Sequence, residues 1–121
     1  MLEILTKTSW TMLAMIHLSP AAVVLAPSLI DKLYGVENGG DLGTLLRHRG
    51  VLFVAILAAC LFGLFDPAAR RATSVIVAFS VIGFLWVYWR AGMPAGRLRR
   101  VALVDLVGLI PLAFVFYIAW R

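Results

Sequence analysis

The sequence has one cysteine and few charged residues, and both shortages narrow the class of protein. Cys60 has no second cysteine in the chain to pair with, which excludes a secreted domain built on disulfides. Charged residues make up 14% of the chain and hydrophobic residues 63%, against about 25% and about 45–50% in soluble domains. A mean hydropathy of +0.98 excludes intrinsic disorder. Because 121 residues have too little interior to bury this much apolar surface, we expect an integral membrane protein.

Charged residues divide the chain into four long apolar stretches. A bilayer core about 30 Å thick needs roughly 20 helical residues, and backbone groups in lipid must be satisfied within the segment. None of the stretches alternates in polarity as a transmembrane strand does. We therefore predict a single all-α domain over residues 1–121, with four transmembrane helices in an antiparallel bundle. The predicted spans cover about residues 8–30, 44–65, 72–90 and 99–120.

The tryptophan and tyrosine residues lie near the ends of the predicted spans. Trp10 and Tyr34 flank the first span, and Tyr117 and Trp120 close the fourth. Aromatic rings with a polar tip are most stable at membrane interfaces, so we expect every Trp and Tyr near a membrane surface. The first apolar stretch is longer than the roughly 7–15 residues of a signal-peptide core, and we interpret it as a retained span.

The lysines and arginines divide unequally between the two predicted sides of the membrane. The side of the N-terminus carries four of them, namely Lys7, Arg70, Arg71 and Arg121. The opposite side carries seven, namely Lys32, Arg47, Arg49, Arg90, Arg97, Arg99 and Arg100. Because cytoplasmic loops are enriched in Lys and Arg, we expect a bacterial inner-membrane protein with both termini periplasmic. The pI of about 10.2 is attributed to this topology and to anionic lipids, so no nucleic-acid partner is expected.

Three small residues of the second span recur at a four-residue spacing. Ala55, Ala59 and Gly63 share one helix face, where small side chains let another backbone approach closely. The partner helix belongs either to the same chain or to a second copy. The sequence therefore predicts a close helix contact at this face and leaves open a homo-oligomer formed through it.

His17 is an ionisable residue inside the first predicted span. It lies about nine residues from Thr8, which corresponds to a depth of about 13 Å, and such residues are functional-site candidates. Its helix face also carries Ala14, Ala21 and Ser28, so we expect a neutral ring that faces the other helices. The ring either forms an interhelical hydrogen bond or binds a ligand, and axial ligation of a haem by His17 alone stays open. Two separated histidines and one cysteine do not have zinc-site spacing, so no metal site is predicted.

Asp105 is the only acidic residue inside the fourth predicted span, and it needs a cationic partner there. Arg47, His48 and Arg49 enter the second span at a similar depth on the same side. Three consecutive helical residues fan over about 200°, so at least one of them points inward. This group forms either a structural ion pair or a polar site at the cytoplasmic mouth of the bundle. The site could recruit further carboxylates from the long loop, namely Asp31, Glu37 and Asp41.

Two short motifs resemble those of a known family. Leu33-Tyr34-Gly35 follows the first predicted span, and Arg47-x-Arg49-Gly50 opens the second. A Tyr-Gly pair followed by an Arg-and-Gly entry to the second helix resembles small four-helix bacterial membrane proteins of the DoxX-like kind. The resemblance implies four membrane-spanning helices. Many members of that family have no established function, so it implies no activity and no site residue.

Three functions fit these features. The first expectation is a small polytopic protein that binds a lipophilic ligand or a membrane partner in its bundle. The second is a membrane enzyme for a hydrophobic substrate, with His17 or Asp105 as acid or base, or with His17 as haem ligand. The third is a subunit of an oligomeric small transporter, because four helices alone enclose little space. The candidate ligand-binding residues are His17, Ser28, Arg47, His48, Arg49 and Asp105.

Overall fold

The computed structural model describes residues 1–26, 28, 29, 32 and 39–121. The regular structure of these residues is entirely helical, with no strand. It consists of α1 (Leu2–Ala22), α2 (Gly40–Phe65), α3 (Arg70–Arg90) and α4 (Leu98–Trp120), with a 3-10 helix at Pro67–Ala69. Three segments are long and apolar enough to cross a membrane, namely Gly40–Phe65, Pro67–Arg90 and Leu98–Trp120. The predicted all-α membrane class is therefore confirmed with three candidate spans.

α1 lies closer to the N-terminus than the sequence predicts. It begins at Leu2 instead of residue 8 and ends at Ala22 instead of residue 30. Charged side chains end an apolar run without ending a helix, and the Glu3 carboxylate is paired with the Arg70 guanidinium at 2.9 Å. The hydroxyl groups of Thr6 and Thr11 donate to backbone carbonyls four residues earlier, so these side chains also fit the helix. α1 is not one of the three candidate spans.

With α1 beginning at Leu2, Trp10 lies near the middle of the helix instead of near its start. Its side chain is fully buried in the core. This core joins all four helices through Trp10, Leu13, Ala14, Cys60, Val77, Val81, Leu112 and Val115. Trp10 contacts Gly63, two residues before the end of α2, and its place near a membrane surface stays a prediction.

Two glycines of α2 mark close approaches between α1 and α2. A Cβ atom built on Gly63 would lie 2.7 Å from two atoms of the Trp10 indole. Toward the other end of α2, a Cβ atom on Gly50 would lie 3.1 Å from Val24 Cγ2 and 3.4 Å from the carbonyl oxygen of Pro20. The early part of α1 thus contacts the late part of α2, and the late part of α1 contacts the early part of α2.

Arg70 fastens the C-terminal end of α2 to the first turn of α1. Its buried guanidinium donates from Nε to the carbonyl oxygen of Gly63 at 2.7 Å and from a terminal nitrogen to that of Leu64 at 3.3 Å. The terminal nitrogens also donate to the Glu3 carboxylate at 2.9 and 3.3 Å. The last carbonyl groups of a helix have no hydrogen-bond donor within the helix, so Arg70 supplies donors to the carbonyl oxygens at the end of α2.

α3 and α4 contact each other near both of their ends. The indole nitrogen of Trp120 donates to Ser74 Oγ at 3.1 Å. At the opposite end a turn with positive φ at Gly92 (89°) and Met93 (51°) reverses the chain. The Tyr88 hydroxyl donates to the carbonyl oxygen of Pro94 at 2.6 Å and holds this turn in place. The turn delivers the arginine-rich start of α4 beside the end of α3.

Candidate functional site

A cavity of about 200 Å³ lies between α1 and α4, with Phe53 of α2 in its wall. It brings together two residues that the sequence analysis treated separately, His17 and Asp105. α1 and α4 provide nearly all of its lining, and most of these side chains are apolar. The cavity therefore brings predicted candidate residues of two helices together.

His17 is buried, and both of its ring nitrogens are hydrogen-bonded within the protein. The residue is 2% exposed. Nδ1 lies 2.8 Å from the carbonyl oxygen of Leu13, and Nε2 lies 2.9 Å from Ser80 Oγ in α3. Because a carbonyl oxygen only accepts, Nδ1 carries the hydrogen and donates to Leu13. In the neutral ring Nε2 then accepts from the Ser80 hydroxyl group.

These two bonds use the full hydrogen-bonding capacity of a neutral His17 ring. The ring joins α1 to α3, and haem ligation through Nε2 would require the bond to Ser80 to break. Its position also differs from the sequence-based depth, which was counted from Thr8. Because α1 ends at Ala22, His17 lies five residues before that end, or about 7.5 Å along the axis.

Asp105 is buried at 9% exposure and faces the same cavity. Within the described residues the salt bridge shorter than 4.0 Å joins Glu3 to Arg70, and none reaches Asp105. The hydrogen bonds of the described residues do not include one to its carboxylate, and Trp10 Nε1, not an oxygen of Asp105, is the fully buried side-chain atom without a partner among them. The Asp105 oxygens are therefore accessible from the cavity and have unused hydrogen-bonding capacity there.

The three consecutive basic residues of α2 have different surroundings. The Arg49 guanidinium lies 5.1 Å from the centre of the Phe53 ring and 5.4 Å from that of Phe84, within the range of cation–π attraction. Arg47 and His48 are exposed, and none of the three residues lines the cavity. Arg49 is therefore the residue of the three that turns inward.

The cavity opens on the outer surface of the helices, between α1 and α4. Met15 and Ser19 of α1 and Val104 of α4 line this opening, and all three are exposed. One turn after Asp105, α1 and α4 are closely packed, because a Cβ atom on Gly108 would lie 2.8 Å from Ile16 Cδ1. The cavity is thus a short slot with a mouth on the side of the protein.

One cation borders this slot at the start of α4. Arg100 lines the cavity, is exposed, and precedes Asp105 by five residues, or about 7.5 Å along the helix axis. The slot therefore combines a buried carboxyl group, apolar walls and an exposed guanidinium at the end near the α3–α4 turn.

The other predicted residues lie elsewhere. Ser28 is exposed beyond the end of α1 and does not line the cavity. Gly63 contacts Trp10 of the same chain, Ala59 is buried, and Ala55 is exposed. The interpretations of Pro27, Asp31, Glu37 and the Leu33-Tyr34-Gly35 motif lie outside the described residues. Asp41 is exposed in the first turn of α2 and does not reach the cavity.

Three residues of this site were missed by the sequence reasoning. Ser80 holds His17, Phe53 forms part of the wall, and Arg100 borders the slot. Ser80 had a usable signal, because it is a hydroxyl-bearing residue in the middle of an uncharged stretch. Phe53 and Arg100 had none, because apolar and interfacial residues of these types are common in membrane helices.

Neither a metal site among the described residues nor similarity to known proteins indicates the function of the chain. The described part of the chain contains no group of three or more His, Cys, Asp or Glu residues that could hold a metal ion. No family model, curated protein or solved structure matches the chain. The functional argument therefore depends on the slot between α1 and α4.

Proposed function

We propose that this chain is a multi-pass membrane protein that binds a lipophilic ligand in the slot between α1 and α4. The observation that carries the proposal is Asp105, a buried carboxyl group with unused hydrogen-bonding capacity in a slot walled mainly by apolar side chains. A ligand that fits must present a polar group to Asp105 and apolar surface to Val101 and Val104. An amphiphile that enters from the side of the protein meets both requirements.

Blocking the mouth of the slot is expected to remove a bound lipid. Val104 is 47% exposed at the mouth, and Val104→Trp would fill the opening while leaving Asp105 in place. Val107 is 59% exposed on the same helix but does not line the slot, so Val107→Trp is the matched control. We expect native mass spectrometry from mild detergent to show a retained lipid in the wild type and in Val107→Trp, and about tenfold less in Val104→Trp. Equal retention in the two tryptophan variants would contradict the proposal.

The enzyme alternative is favoured by one observation, since His17 and Asp105 line the same slot. The neutral His17 ring is already bonded to Leu13 and Ser80, so the acid–base role would fall to Asp105. We assign His17 a structural role in joining α1 to α3. A folded His17→Ala variant that retains the lipid supports this assignment, and loss of the lipid from a folded variant opposes it.

We also propose that α1 is a fourth span and that the helices form an antiparallel bundle in a bacterial inner membrane. The 21 residues of α1 extend over about 31 Å, which is close to the thickness of a bilayer core of about 30 Å and leaves the first turn with the exposed Glu3 at the membrane surface. The reciprocal contacts of α1 with α2 support opposite directions for these two helices. The contacts of Ser74 with Trp120 and of Tyr88 with the turn before α4 support the same for α3 and α4.

The proposed orientation places both termini in the periplasm. The structure keeps Arg70 and Arg71 beside the ends of α1 and α4, through Glu3 and the carbonyl oxygen of Ala119. We expect alkaline phosphatase fused after Arg121 to be active and a green fluorescent protein fused there to be dark, because the seven-residue basic side faces the cytoplasm. Phosphatase inserted in the turn at Gly96 serves as the control and is expected to be inactive. The reverse pattern would overturn the orientation but not the number of spans.

A homo-oligomer or a transporter assembly could use only part of the surface predicted from small residues. Of the three, Ala59 and Gly63 are buried within the chain, and Ala55 is exposed. An oligomer contact at this face is therefore proposed for Ala55 only.

A further inference from the structure

We infer that the slot binds a neutral lipid with a hydroxyl head, which places its O–H group on the Asp105 carboxyl and its chain out between Met15 and Val104. This inference rests on the proposed function and specifies the ligand class. It follows from the polar groups that the slot offers, from the charges around them and from the size of the slot.

Asp105 is the polar group at the inner end of the slot that still lacks a partner among the described residues. His17, its neighbour in the wall, has both ring nitrogens engaged by Leu13 and Ser80. A polar group buried without a hydrogen bond is costly, so occupancy of the slot is favoured by a ligand that bonds to Asp105. A hydroxyl group suits this position because it donates to a carboxylate and accepts from a carboxylic acid.

The surrounding charges disfavour a charged head group of either sign. An ammonium head would be attracted by the Asp105 carboxyl but repelled by Arg100 at the end of the slot. A carboxylate or phosphate head would be attracted by Arg100 but repelled by the Asp105 carboxyl. A neutral hydroxyl head avoids both repulsions.

The size of the slot limits the occupant to the head of a lipid. Its volume of about 200 Å³ is below the roughly 300–1,000 Å³ of pockets that enclose a drug-sized ligand. One turn after Asp105 the close packing of Ile16 on Gly108 leaves little room for a chain to continue between α1 and α4. The exposed Met15 and Val104 flank the opening instead, and they give an alkyl chain an apolar exit toward lipid.

Three photoreactive probes that differ only in their head group test this inference. A long-chain alcohol, the carboxylic acid and the primary amine of the same chain, each with a diazirine at the same carbon, are added to the protein in phosphatidylcholine vesicles. After irradiation, labelled peptides of α1 and α4 are quantified by mass spectrometry. We expect the alcohol to label the segments around Met15 and Val104 about tenfold more than the acid or the amine, as one hydrogen bond to a charged group allows.

The variants separate this inference from the proposed function. Val104→Trp should abolish the labelling and Val107→Trp should preserve it, while Asp105→Leu should reduce labelling by the alcohol to the level of the other probes. If Asp105→Leu does not fold, Asp105→Asn, which keeps a hydrogen-bonding head of the same size without the charge, should raise labelling by the acid toward that by the alcohol, because the repulsion of the acid is removed. Labelling that is blocked by Val104→Trp but strongest for the acid or the amine overturns the hydroxyl assignment and leaves the proposed slot intact. Labelling that Val104→Trp does not affect overturns both.

Discussion

Gly63→Ala is expected to destabilise the protein by about 1–3 kcal/mol, the usual cost of adding a methyl group to a closely packed interior. The new Cβ atom would lie 2.7 Å from two atoms of the Trp10 indole and 2.8 Å from a third. Trp10 cannot swing away, because its side chain is fully buried in the core formed by all four helices. α1 and α2 would therefore have to separate at this point. Gly63→Leu should prevent correct packing altogether.

Gly83→Ala is the matched control for this substitution. Gly83 also lies inside an apolar helix, but no atom lies within 4 Å of a Cβ atom built there. Replacing an uncrowded helix glycine by alanine stabilises a helix by up to about 1 kcal/mol. We expect opposite signs for the two glycines when unfolding is followed by circular dichroism during titration of mixed micelles with dodecyl sulfate. A Gly63→Ala variant as stable as Gly83→Ala would show that Trp10 does not hold this contact.

The small-residue spacing predicted the close contact at Gly63 but not its partner. A spacing of four residues shows which residues share a face of α2, and Ala59 and Gly63 are indeed buried. It does not show which helix covers them. The partner is Trp10, which the sequence placed near the start of the first helix, because that start was set after Lys7, whereas α1 begins at Leu2 and pairs Glu3 with Arg70. The contact between Glu3 and Arg70, which are far apart in the chain, thus accompanies a start of α1 that the local sequence did not predict.

The candidate site was predictable residue by residue but not as an assembly. His17 and Asp105 stood out because ionisable groups are rare in apolar helices. Their meeting in one slot depends on the register of α1 against α4, which is set where Ile16 fits beside Gly108. No periodicity within either helix encodes that register. The bond from His17 to Ser80 likewise depends on how α3 is placed against α1.

Arg70→Met is expected to cost about 2–4 kcal/mol of stability, because hydrogen bonds that involve a charged group contribute about 1.5–3 kcal/mol each. Methionine preserves the apolar stem of Arg70. It removes the guanidinium group that donates hydrogen bonds to the carbonyl oxygens of Gly63 and Leu64 at the end of α2. Arg71→Met is the matched control, since the exposed Arg71 makes one bond to the carbonyl oxygen of Ala119 and lies over the Trp120 ring at 5.3 Å. It should cost less than about 1 kcal/mol. Equal losses in the two variants, measured by the same titration, would refute the role assigned to Arg70.

The pH dependence of the protein's stability provides an independent test of the pairing between Glu3 and Arg70. Glu3 lies before the apolar stretch that begins at Thr8, and hydrogen bonds from Arg70 lower its pKa below the ordinary value of 4.5. A carboxyl group with a lower pKa in the folded state stabilises the protein above its unfolded pKa, and that contribution is lost as the pH falls through its folded pKa. The stability difference between the wild type and Glu3→Gln should therefore stay constant from about pH 8 to about pH 5 and shrink at lower pH. In the Arg70→Met background the same Glu3→Gln substitution should have no such pH dependence, because the donor that lowers the pKa is gone. A difference that persists unchanged in that background would show that Glu3 acts through another partner.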